Sequence, residues 1–306
     1  MTSWLHLLLL QLLWPCVSPF KVCAFNAQHF GEKKAANDEV MDALVKIVQR
    51  CDICLVQEVQ DPKGLAVSKL LQALNRPADL FLAVVSPSIG RKSYTEQYVF
   101  IYKKEKILVS DQYQYEDNHP SQPDVFAREP YIVRFTVRSP ALRDLVIIPQ
   151  HTEPDKAAVE LEALYDVFTD VSSRWRCQNV VMMGDFNAGC SYLSKKKRRS
   201  LRLYTDTDFH WLISDNTDTT VRESTDCPYD RIVVYGQTLV DMVTSAGIYN
   251  FTKELRLTEA QALKVSDHYP VEMNLDLTFD SCLSLLPSIS LILLGLLTAV
   301  GTKTVF

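Results

Sequence analysis

The chain has no internal repeat, and no Gly/Ser-rich linker interrupts its middle, so nothing in it indicates two separate domains. Between two terminal apolar segments, residues 19–279 are numerous enough for one large domain with two sheets and a deep core. Residues 118–124 and the basic run Lys195–Arg199 are predicted to be surface loops that interrupt this domain without splitting it.

An excess of positive charge is also missing. The chain carries 32 Lys and Arg residues against 37 Asp and Glu residues, a formal net charge of −5. This balance argues against a protein that coats nucleic acid through bulk positive charge, but a hydrolase needs only a few local cations and a metal. The one dense basic cluster, Lys195–Arg199, is interpreted as a solvated loop; DNA-backbone contact is the first alternative and a nuclear-localisation signal the second.

The N-terminal segment lacks acidic residues and, unusually for a leader, lacks Lys and Arg as well. Its apolar run Leu7–Leu13 predicts that residues 1–18 are a secretory signal peptide, with maturation near residues 18–20. The protein is therefore expected in the secretory pathway, where oxidising conditions allow disulfide bonds.

The C-terminal segment, residues 280–306, is surplus to the predicted domain. Its run Leu283–Val300 is largely apolar, but it is short and contains a proline, whereas a membrane-spanning helix needs about 20 apolar residues. The residues at 280–282 favour attachment of a glycosylphosphatidylinositol (GPI) anchor, which would place the protein at the cell surface. A retained membrane segment and a secreted, extracellular form are the alternatives.

Apolar patterns predict strands alternating with helices, mixed with hairpins, which indicates two packed sheets covered by helices. Strands at 98–102 and 107–109 are predicted to form a hairpin. The other predicted strands are 20–26, 52–58, 80–85, 131–137, 145–148, 179–183, 231–235 and 271–277, and the predicted helices are 65–74, 157–171 and one capped by Asn37.

Four apolar segments end on oxygen-bearing side chains. These are Asn26 after Val22–Phe25, Glu58 after Ile53–Val56, Asp185 and Asn187 after Val180–Met183, and Asp267 beside His268. A strand that ends on a carboxylate or amide presents it from a rigid backbone, as a hard cation requires. Singly, Asp185 is explained as a cap or turn residue, Glu58 as a solvated strand end and His268 as a satisfied histidine. Together these residues indicate metal-assisted phosphodiester chemistry.

With further motifs, these residues resemble the deoxyribonuclease I family of the exonuclease-endonuclease-phosphatase superfamily, over residues 20–277. The resemblance implies a four-layered α/β sandwich, in which two packed mixed β-sheets are flanked by helices and the active site lies at one rim. Its motifs are Ala24-Phe25-Asn26, Gln57-Glu58-Val59, Gly90-Arg91-Lys92-Ser93-Tyr94, Ala127-Arg128-Glu129-Pro130, Tyr165-Asp166-Val167-Phe168, Gly184-Asp185-Phe186-Asn187-Ala188, Tyr229-Asp230-Arg231 and Ser266-Asp267-His268-Tyr269-Pro270.

The resemblance implies two catalytic pairs, His268 with Asp230 and His151 with Glu96. One imidazole would serve the attacking water and the other the leaving 3′ oxygen, and the sequence leaves open which does which. Without the resemblance, His151 would be interpreted as a satisfied histidine at a strand end. Asn187 would orient phosphate or a ligand water. The implied ligands of Mg²⁺ or Mn²⁺ are Asn26, Glu58, Asp185 and Asp267.

DNA contacts carry over by resemblance onto Tyr94, Arg128, Tyr192 and Tyr229. The ordinary explanations are that Tyr94 and Tyr192 are surface aromatics and that Arg128 forms a local salt bridge with Glu129. Gln60 stands where a better-known family member has arginine, so one groove contact is changed.

Six of the eight cysteines lie outside the leader and the tail. Cys190 and Cys227 are the best disulfide pair because they flank the insertion after Asp185 and the loop leading to Asp230, and the resemblance implies the same bond. The remaining four are interpreted as small buried residues: Cys23, Cys51, Cys54 and Cys177. The spacing Cys51-x-x-Cys54 fits a zinc or redox pair, but no second Cys/His pair accompanies it.

Two departures from the family pattern concern partners and ions. Ala83 occupies the place of a tyrosine that contacts actin in pancreatic-type members, so actin inhibition is not expected. Residues 218–220 resemble a structural calcium loop, which makes Ca²⁺ a second candidate ion. The protein is expected to be a monomer.

The leading functional hypothesis is a divalent-metal-dependent endonuclease that cleaves double-stranded DNA to 5′-phosphorylated fragments. The alternative within the superfamily is a phosphatase or sphingomyelinase-type phosphodiesterase. From a different class, the chain would be an inactive, surface-anchored nucleic-acid-binding protein.

Overall fold

In the computed structural model, the described residues are 19–76, 78–91, 93–118 and 124–278. The strands are β1 (Phe20–Phe30), β2 (Ile53–Val59), β3 (Phe81–Val85), β4 (Gln97–Lys103), β5 (Ile107–Gln114), β6 (Tyr131–Val137), β7 (Asp144–Pro149), β8 (Val180–Asp185), β9 (Phe209–Trp211), β10 (Asp230–Tyr235), β11 (Val243–Ile248) and β12 (Val271–Leu275). The helices are α1 (Glu32–Ala35), α2 (Asp38–Val48), α3 (Leu65–Leu74), α4 (Ala157–Trp175), α5 (Lys195–Arg198), α6 (Arg202–Thr205), α7 (Gln237–Met242), α8 (Phe251–Glu254) and α9 (Glu259–Val265), with a 3₁₀ turn at Pro154–Lys156.

Two six-stranded sheets form the centre of the molecule. The first has the order β11-β12-β1-β2-β4-β3 and the second β5-β6-β7-β8-β10-β9. Each is mixed: β1 and β2 are parallel in the first sheet, and β7 and β8 are parallel in the second, whereas their other neighbours are antiparallel.

The alternation of apolar residues along each strand creates three cores. On β1, Val22 and Ala24 point into the core between the sheets, while Cys23 and Phe25 join the outer core beneath α2 and α3. On β8, Val181 faces inward in the same way, and the outer face of the second sheet packs against α4. The layers therefore run helix, sheet, sheet, helix, which confirms the four-layered α/β sandwich.

Helix α2 forms as its sequence predicts. The side chain of Asn37 caps the first turn by accepting a hydrogen bond from the backbone N of Val40 at 3.2 Å. Val40, Leu44 and Ile47 recur at helical spacing, and all three are buried against the first sheet.

The predicted hairpin of residues 98–102 and 107–109 is wrong. β4 pairs with β2 and β3 in the first sheet, whereas β5 pairs with β6 in the second. The short turn between them therefore carries the chain from one sheet to the other. Sequence periodicity identifies a strand but does not reveal its partner, so this crossover was not predicted.

Cys23 and Cys51 are buried, as predicted, but the sequence did not predict that they are bonded to each other. They form a disulfide with a Cα–Cα distance of 6.1 Å. The bond is possible because β1 and β2 are adjacent and parallel, which brings Cys51, two residues before β2, beside the outer face of β1. Cys54 and Cys177 are free and buried, as expected.

The basic cluster is not a solvated loop throughout. Lys195–Arg198 forms helix α5, and Ser194 caps it by accepting from the backbone N of Lys197. Arg198 is buried and pairs with Asp215. The charge of Arg198 is therefore paired within the fold.

The predicted leader and tail lie outside the described residues, as do residues 119–123 of the predicted loop at 118–124. Across the described part of the chain, no helix is long and apolar enough to cross a membrane.

Candidate active site

The strand ends that carry the predicted site residues meet at one rim of the sandwich. The first sheet contributes Asn26 from β1 and Glu58 from β2, and the second contributes Asp185 from β8. Asp230, at the start of β10, lies directly opposite Asp185 in the antiparallel register. The candidate site therefore spans both sheets.

Asn26 links the two carboxylates that come from different sheets. Its Nδ2 donates to Oε1 of Glu58 at 2.9 Å and to Oδ2 of Asp185 at 3.1 Å. The other oxygen of Asp185 accepts from the backbone N of Asn187 at 3.1 Å, and Nδ2 of Asn187 donates to the carbonyl of Thr152. The amide of Asn26 thus offsets the repulsion between two carboxylates, as a bound cation would do more strongly.

His268 is held by a carboxylate in the way that the resemblance implies. Its Nδ1 lies 2.7 Å from Oδ2 of Asp230, and its Nε2 lies 3.6 Å from Oδ2 of Asp185. Burial alone would lower the pKa of His268, but Asp230 and Asp185 outweigh burial and raise it well above its usual 6.5. The charged imidazolium is therefore favoured before a cation or substrate enters.

His151 forms the second pair, with Glu96. Its Nδ1 lies 2.6 Å from Oε1 of Glu96, and its Nε2 lies 3.6 Å from Oδ2 of Asp185. Burial opposes the charge on this imidazole too, but Glu96 outweighs it and raises the pKa of His151. The Nε2 atoms of both histidines therefore approach the same oxygen of Asp185.

Arg128 lies inside the site instead of reaching out to solvent. It is buried, and its Nε donates to Oε1 of Glu96 at 2.8 Å. The salt bridge considered with Glu129 does not form, because Glu96 takes that place. Burial favours the neutral acid of Glu96, but the charges of His151 and Arg128 outweigh it and lower its pKa.

The predicted DNA-contact tyrosines occupy more open positions. Tyr94 and Tyr192 are 39% and 37% exposed, so their rings are accessible at the rim. Tyr192 packs against Tyr229 with ring centroids 5.3 Å apart, and Tyr229 lies 6.3 Å from the ring of His268. An aromatic surface therefore leads up to one of the two histidines.

Gln57 is a site residue whose own role the sequence did not predict. It is fully buried on β2, where its Nε2 donates to the carbonyl of Gln150 at 2.8 Å and its Oε1 accepts from the backbone N of Asp185 at 2.9 Å. This side chain fixes the end of β8 against the neighbouring sheet. Its place beside Glu58 in the motif was the only available signal.

Ser266 and Lys34 stabilise the other side of the site. Oγ of Ser266 donates to the carbonyl of Asn26 at 2.6 Å and accepts from the backbone N of His268 at 3.0 Å. Nζ of Lys34 donates to the carbonyls of Ala27 and Val265, both at 2.8 Å. Burial lowers the pKa of Lys34 to about 8, an effect that Glu58 and Asp267 partly offset. Nothing in the sequence pattern had marked Lys34.

The loop between Cys190 and Asp230 is closed by a disulfide. Cys190 and Cys227 are joined with a Cα–Cα distance of 5.7 Å, the bond that the sequence and the resemblance both favoured. Within this loop, Oδ1 of Asp218 accepts from the backbone N of Thr220 and from that of Cys227, at 3.0 and 3.1 Å. In the calcium-like loop, this oxygen therefore holds the loop's own backbone.

The donor set suits a hard divalent cation. Asp185, Asp230 and His268 form a group whose potential ligand atoms lie within 4.8 Å of one another. However, Asp230 and His268 are already hydrogen-bonded to each other, which leaves Asp185 and the neighbouring Glu58 as the more available ligands. Carboxylate oxygens on rigid strand ends are the donors that Mg²⁺ and Mn²⁺ accept.

A model of the Endonuclease/Exonuclease/phosphatase family matches residues 23–268. The chain belongs to this family. Curated relatives place it in the deoxyribonuclease I-like branch. It is 47% identical over 270 residues to deoxyribonuclease-1-like 1 of Cricetulus griseus, covering 88% of each chain. It is 44% identical over 274 residues to deoxyribonuclease gamma of Homo sapiens, covering 88% of this chain and 90% of that protein.

Solved structures share the fold at much lower identity. A mannosyl-6-phosphatase of Bacteroides thetaiotaomicron VPI-5482 superposes with a TM-score of 0.58 at 13% identity, covering 84% of this chain and 99% of that chain. The human Nocturnin catalytic domain gives a TM-score of 0.58 at 14% identity, covering 84% and 94%. At these identities the likeness concerns the fold alone.

Proposed function

We propose that this protein is a divalent-metal-dependent endonuclease that hydrolyses phosphodiester bonds of double-stranded DNA to give 5′-phosphorylated fragments. The observation that carries the proposal is the pair of carboxylate-held histidines, whose Nε2 atoms both lie 3.6 Å from Oδ2 of Asp185. Relatives of similar length that are named deoxyribonucleases support the same substrate.

Hydrolysis of a phosphodiester requires an activated water and a protonated leaving oxygen. Two imidazoles that approach the same carboxylate oxygen can divide these tasks, one removing a proton from water and the other donating a proton to the 3′ oxygen. Asp230 and Glu96 fix the orientation of the rings and stabilise the imidazolium form. Asn187, whose Nδ2 donates to the carbonyl of Thr152, would orient the phosphate.

The metal would be held by Glu58, Asp185, Asn26 and Asp267. A bound Mg²⁺ or Mn²⁺ supplies charge that polarises the phosphoryl oxygen and stabilises the transition state. Lys34 holds the backbone at Ala27, next to one of these ligands. A structural Ca²⁺ at residues 218–220 is a separate prediction, which calcium titration of wild type and Asp218→Ala would test.

The exposed aromatic rim favours DNA over a phospholipid headgroup. The rings of Tyr192 and Tyr229 lead up to His268, and the ring of Tyr94 lies 5.9 Å from the guanidinium carbon of Arg128. These rings can pack against sugars or groove edges. Arg128 would bind a phosphate oxygen through its remaining N–H groups while its Nε donates to Glu96.

A substrate comparison tests the proposal. Purified protein should nick plasmid DNA with Mg²⁺ and not with chelator, and it should leave sphingomyelin intact. Glu58→Gln should lose about a thousandfold in rate, which corresponds to ~4 kcal/mol of barrier. Full activity after metal removal would refute the assignment, and cleavage of sphingomyelin alone would favour the phosphodiesterase alternative. A folded, metal-loaded protein that binds DNA without cutting it would favour the inactive binding protein.

Histidine variants test the proton-transfer roles. His151→Ala and His268→Ala should each fold and lose about a hundredfold or more of activity. His210→Ala is a matched control, because His210 lies on β9, opposite Val234 and far along β10 from Asp230. If either site variant kept the rate of the control, that histidine would have no catalytic role.

We also propose that the protein is exported and held at the cell surface through a GPI anchor. The two disulfides are compatible with a secreted or extracellular protein. Phosphatidylinositol-specific phospholipase C should release nuclease activity from intact expressing cells. If activity stays on the membrane and the mature protein contains peptides from residue 283 onward, the segment is retained. If activity is found in the medium alone, the protein is secreted.

A further inference from the structure

A cavity of about 320 Å³ lies beside the His151–Glu96 pair and is not used by the proposed chemistry. Arg128 forms the boundary between the two, because it lines the cavity while its Nη2 lies 3.3 Å from Nε2 of His151. Tyr94 lines the same cavity, with its ring 5.9 Å from the guanidinium carbon of Arg128. Whatever occupies the cavity therefore lies next to His151.

Three cationic side chains and one carboxylate line this cavity: Arg91, Arg128, Lys156 and Glu153. Arg128 is neutralised by Glu96, and Arg91 is paired with Asp124 at 3.2 Å. Among the described residues, the ammonium group of Lys156 has only Glu153 as a partner, 3.4 Å away, and both side chains are nearly half exposed. Such a surface pair is weak, so the ammonium group can exchange it for a stronger anion at little cost.

Two independent features of the cavity indicate an anionic ligand. Nε of Arg91 is buried and has no hydrogen-bond partner among the described residues, which leaves a donor that an oxygen ligand could satisfy. Lys156 is also the N-cap residue of the 19-residue helix α4, and no side chain caps that end. The dipole of a helix start favours negative charge. Oε2 of Glu153 forms no hydrogen bond among the described residues, and its one ion pair there is the contact with Lys156 at 3.4 Å.

We propose that this cavity binds a backbone phosphate of the DNA strand that neighbours the scissile phosphate, with Lys156 as the residue that supplies the positive charge. The inference rests on the proposed nuclease function and adds a binding position to it. Lys156 would contribute to substrate affinity and not to the chemical step.

The salt dependence of DNA cleavage tests this position. Each protein cation that neutralises a DNA phosphate adds about 0.9 to the slope of log affinity against log salt concentration. Lys156→Ala should therefore make the slope of log kcat/KM less steep by about 0.9 between about 50 and about 200 mM NaCl. At the lower concentration its kcat/KM should fall about five- to tenfold, mostly through KM.

Two further variants serve as controls. Lys156→Arg keeps the charge and should keep the wild-type slope. Arg138→Ala removes an exposed cation from the turn after β6, at the rim opposite the site, and should leave both slope and KM unchanged. Thermal unfolding of all the variants verifies that they are folded, which is expected because both positions are solvent-accessible.

A second measurement places the contact on the DNA. A short duplex with one neutral methylphosphonate beside the scissile bond should lower the kcat/KM of wild type about as much as Lys156→Ala does. The same duplex should not lower the kcat/KM of Lys156→Ala any further. The inference would be overturned if Lys156→Ala kept the wild-type salt slope, or if Arg138→Ala changed the slope equally. It would also be overturned if the losses in kcat/KM from Lys156→Ala and from the neutral duplex were additive. If wild type itself cleaves no DNA, the proposed function fails, and this inference fails with it.

Discussion

At the scale of single residues, Glu160 is a carboxyl group buried beneath the site. Its Oε2 accepts from Nε2 of Gln150 at 2.9 Å, and its Oε1 accepts from the backbone N of Glu153 at 3.0 Å. Burial raises the pKa of Glu160 to about 7, and the hydrogen bond from Glu153 and the charges of Arg128 and His151 only partly offset this. The carboxyl group of Glu160 connects Glu153, in the cavity lining, to Gln150, which directly follows β7.

The raised pKa of Glu160 predicts a pH-dependent stability. Because the folded state binds this proton more tightly than the unfolded chain does, the contribution is complete below the usual pKa of 4.5 and is lost as pH rises through about 7. Relative to Glu160→Gln, the free energy of unfolding of wild type should fall by about 2 to 3 kcal/mol between pH about 5 and about 8. Urea unfolding of both proteins at several pH values measures this difference, and a constant difference would contradict it.

Single residues also show what the sequence could and could not reveal. Asp185 and Glu58 were predicted because a carboxylate directly after an apolar run is a visible pattern. Gln57 and Lys34 act through backbone carbonyls and amides that are distant in sequence, which no local pattern encodes. Arg128 was expected at the DNA surface, and only the packed structure reveals its bond to Glu96.

At the scale of elements, the end of β8 depends on a glycine. Gly184 has φ of +135°, and a Cβ there would lie 2.3 Å from the carbonyl oxygen of Gln150 and 2.5 Å from Nε2 of Gln57. The close approach lets Gln57 bond to the backbone of Asp185. The strand end therefore needs both the unusual backbone angle and the missing side chain.

Gly184→Ala should destabilise the protein by about 3 kcal/mol or more and abolish DNA cleavage, because both the backbone strain and the clash fall on the site. Gly247→Ala is the matched control: it lies on β11, where a Cβ meets no atom within 4 Å, and it should change stability by about 0.5 kcal/mol at most. Equal stability and activity of the two variants would show that Gly184 has no special role.

Most strands were predictable because their apolar residues alternate or run continuously between polar ends. β9 and β11 were not predicted; β9 has three residues, and β11 is largely exposed or half-buried, so neither carries a strong apolar pattern. The crossover between β4 and β5 was missed for a different reason, since pairing partners depend on the packing of the whole domain. The local pattern thus identifies elements better than their neighbours.

At the scale of the whole molecule, two disulfides close loops in different places. The bond between Cys23 and Cys51 lies in the outer core of the first sheet, whereas that between Cys190 and Cys227 closes the loop before Asp230. Both span similar lengths of chain, with sequence separations of 28 and 37. Comparable stabilisation is therefore expected from each.

Replacing either pair by alanine should lower the free energy of unfolding by about 2 to 4 kcal/mol. Nuclease activity at room temperature should fall strongly only when Cys190 and Cys227 are replaced, because the loop that they close positions Asp230. Denaturant unfolding and plasmid nicking separate the two effects, and peptide mapping should find Cys54 and Cys177 unmodified as free thiols. Equal activity losses in the two double variants would contradict the assignment.

The pairing of β1 with β12 brings the two ends of the domain together, since Phe20 lies opposite Leu275. β1 runs from there toward Asn26, and β12 runs back from the His268 side, so both ends emerge at the rim opposite the active site. A tether attached beyond residue 278 would consequently hold the catalytic rim facing away from its support. A protein immobilised by this end on a bead should keep full access to long DNA.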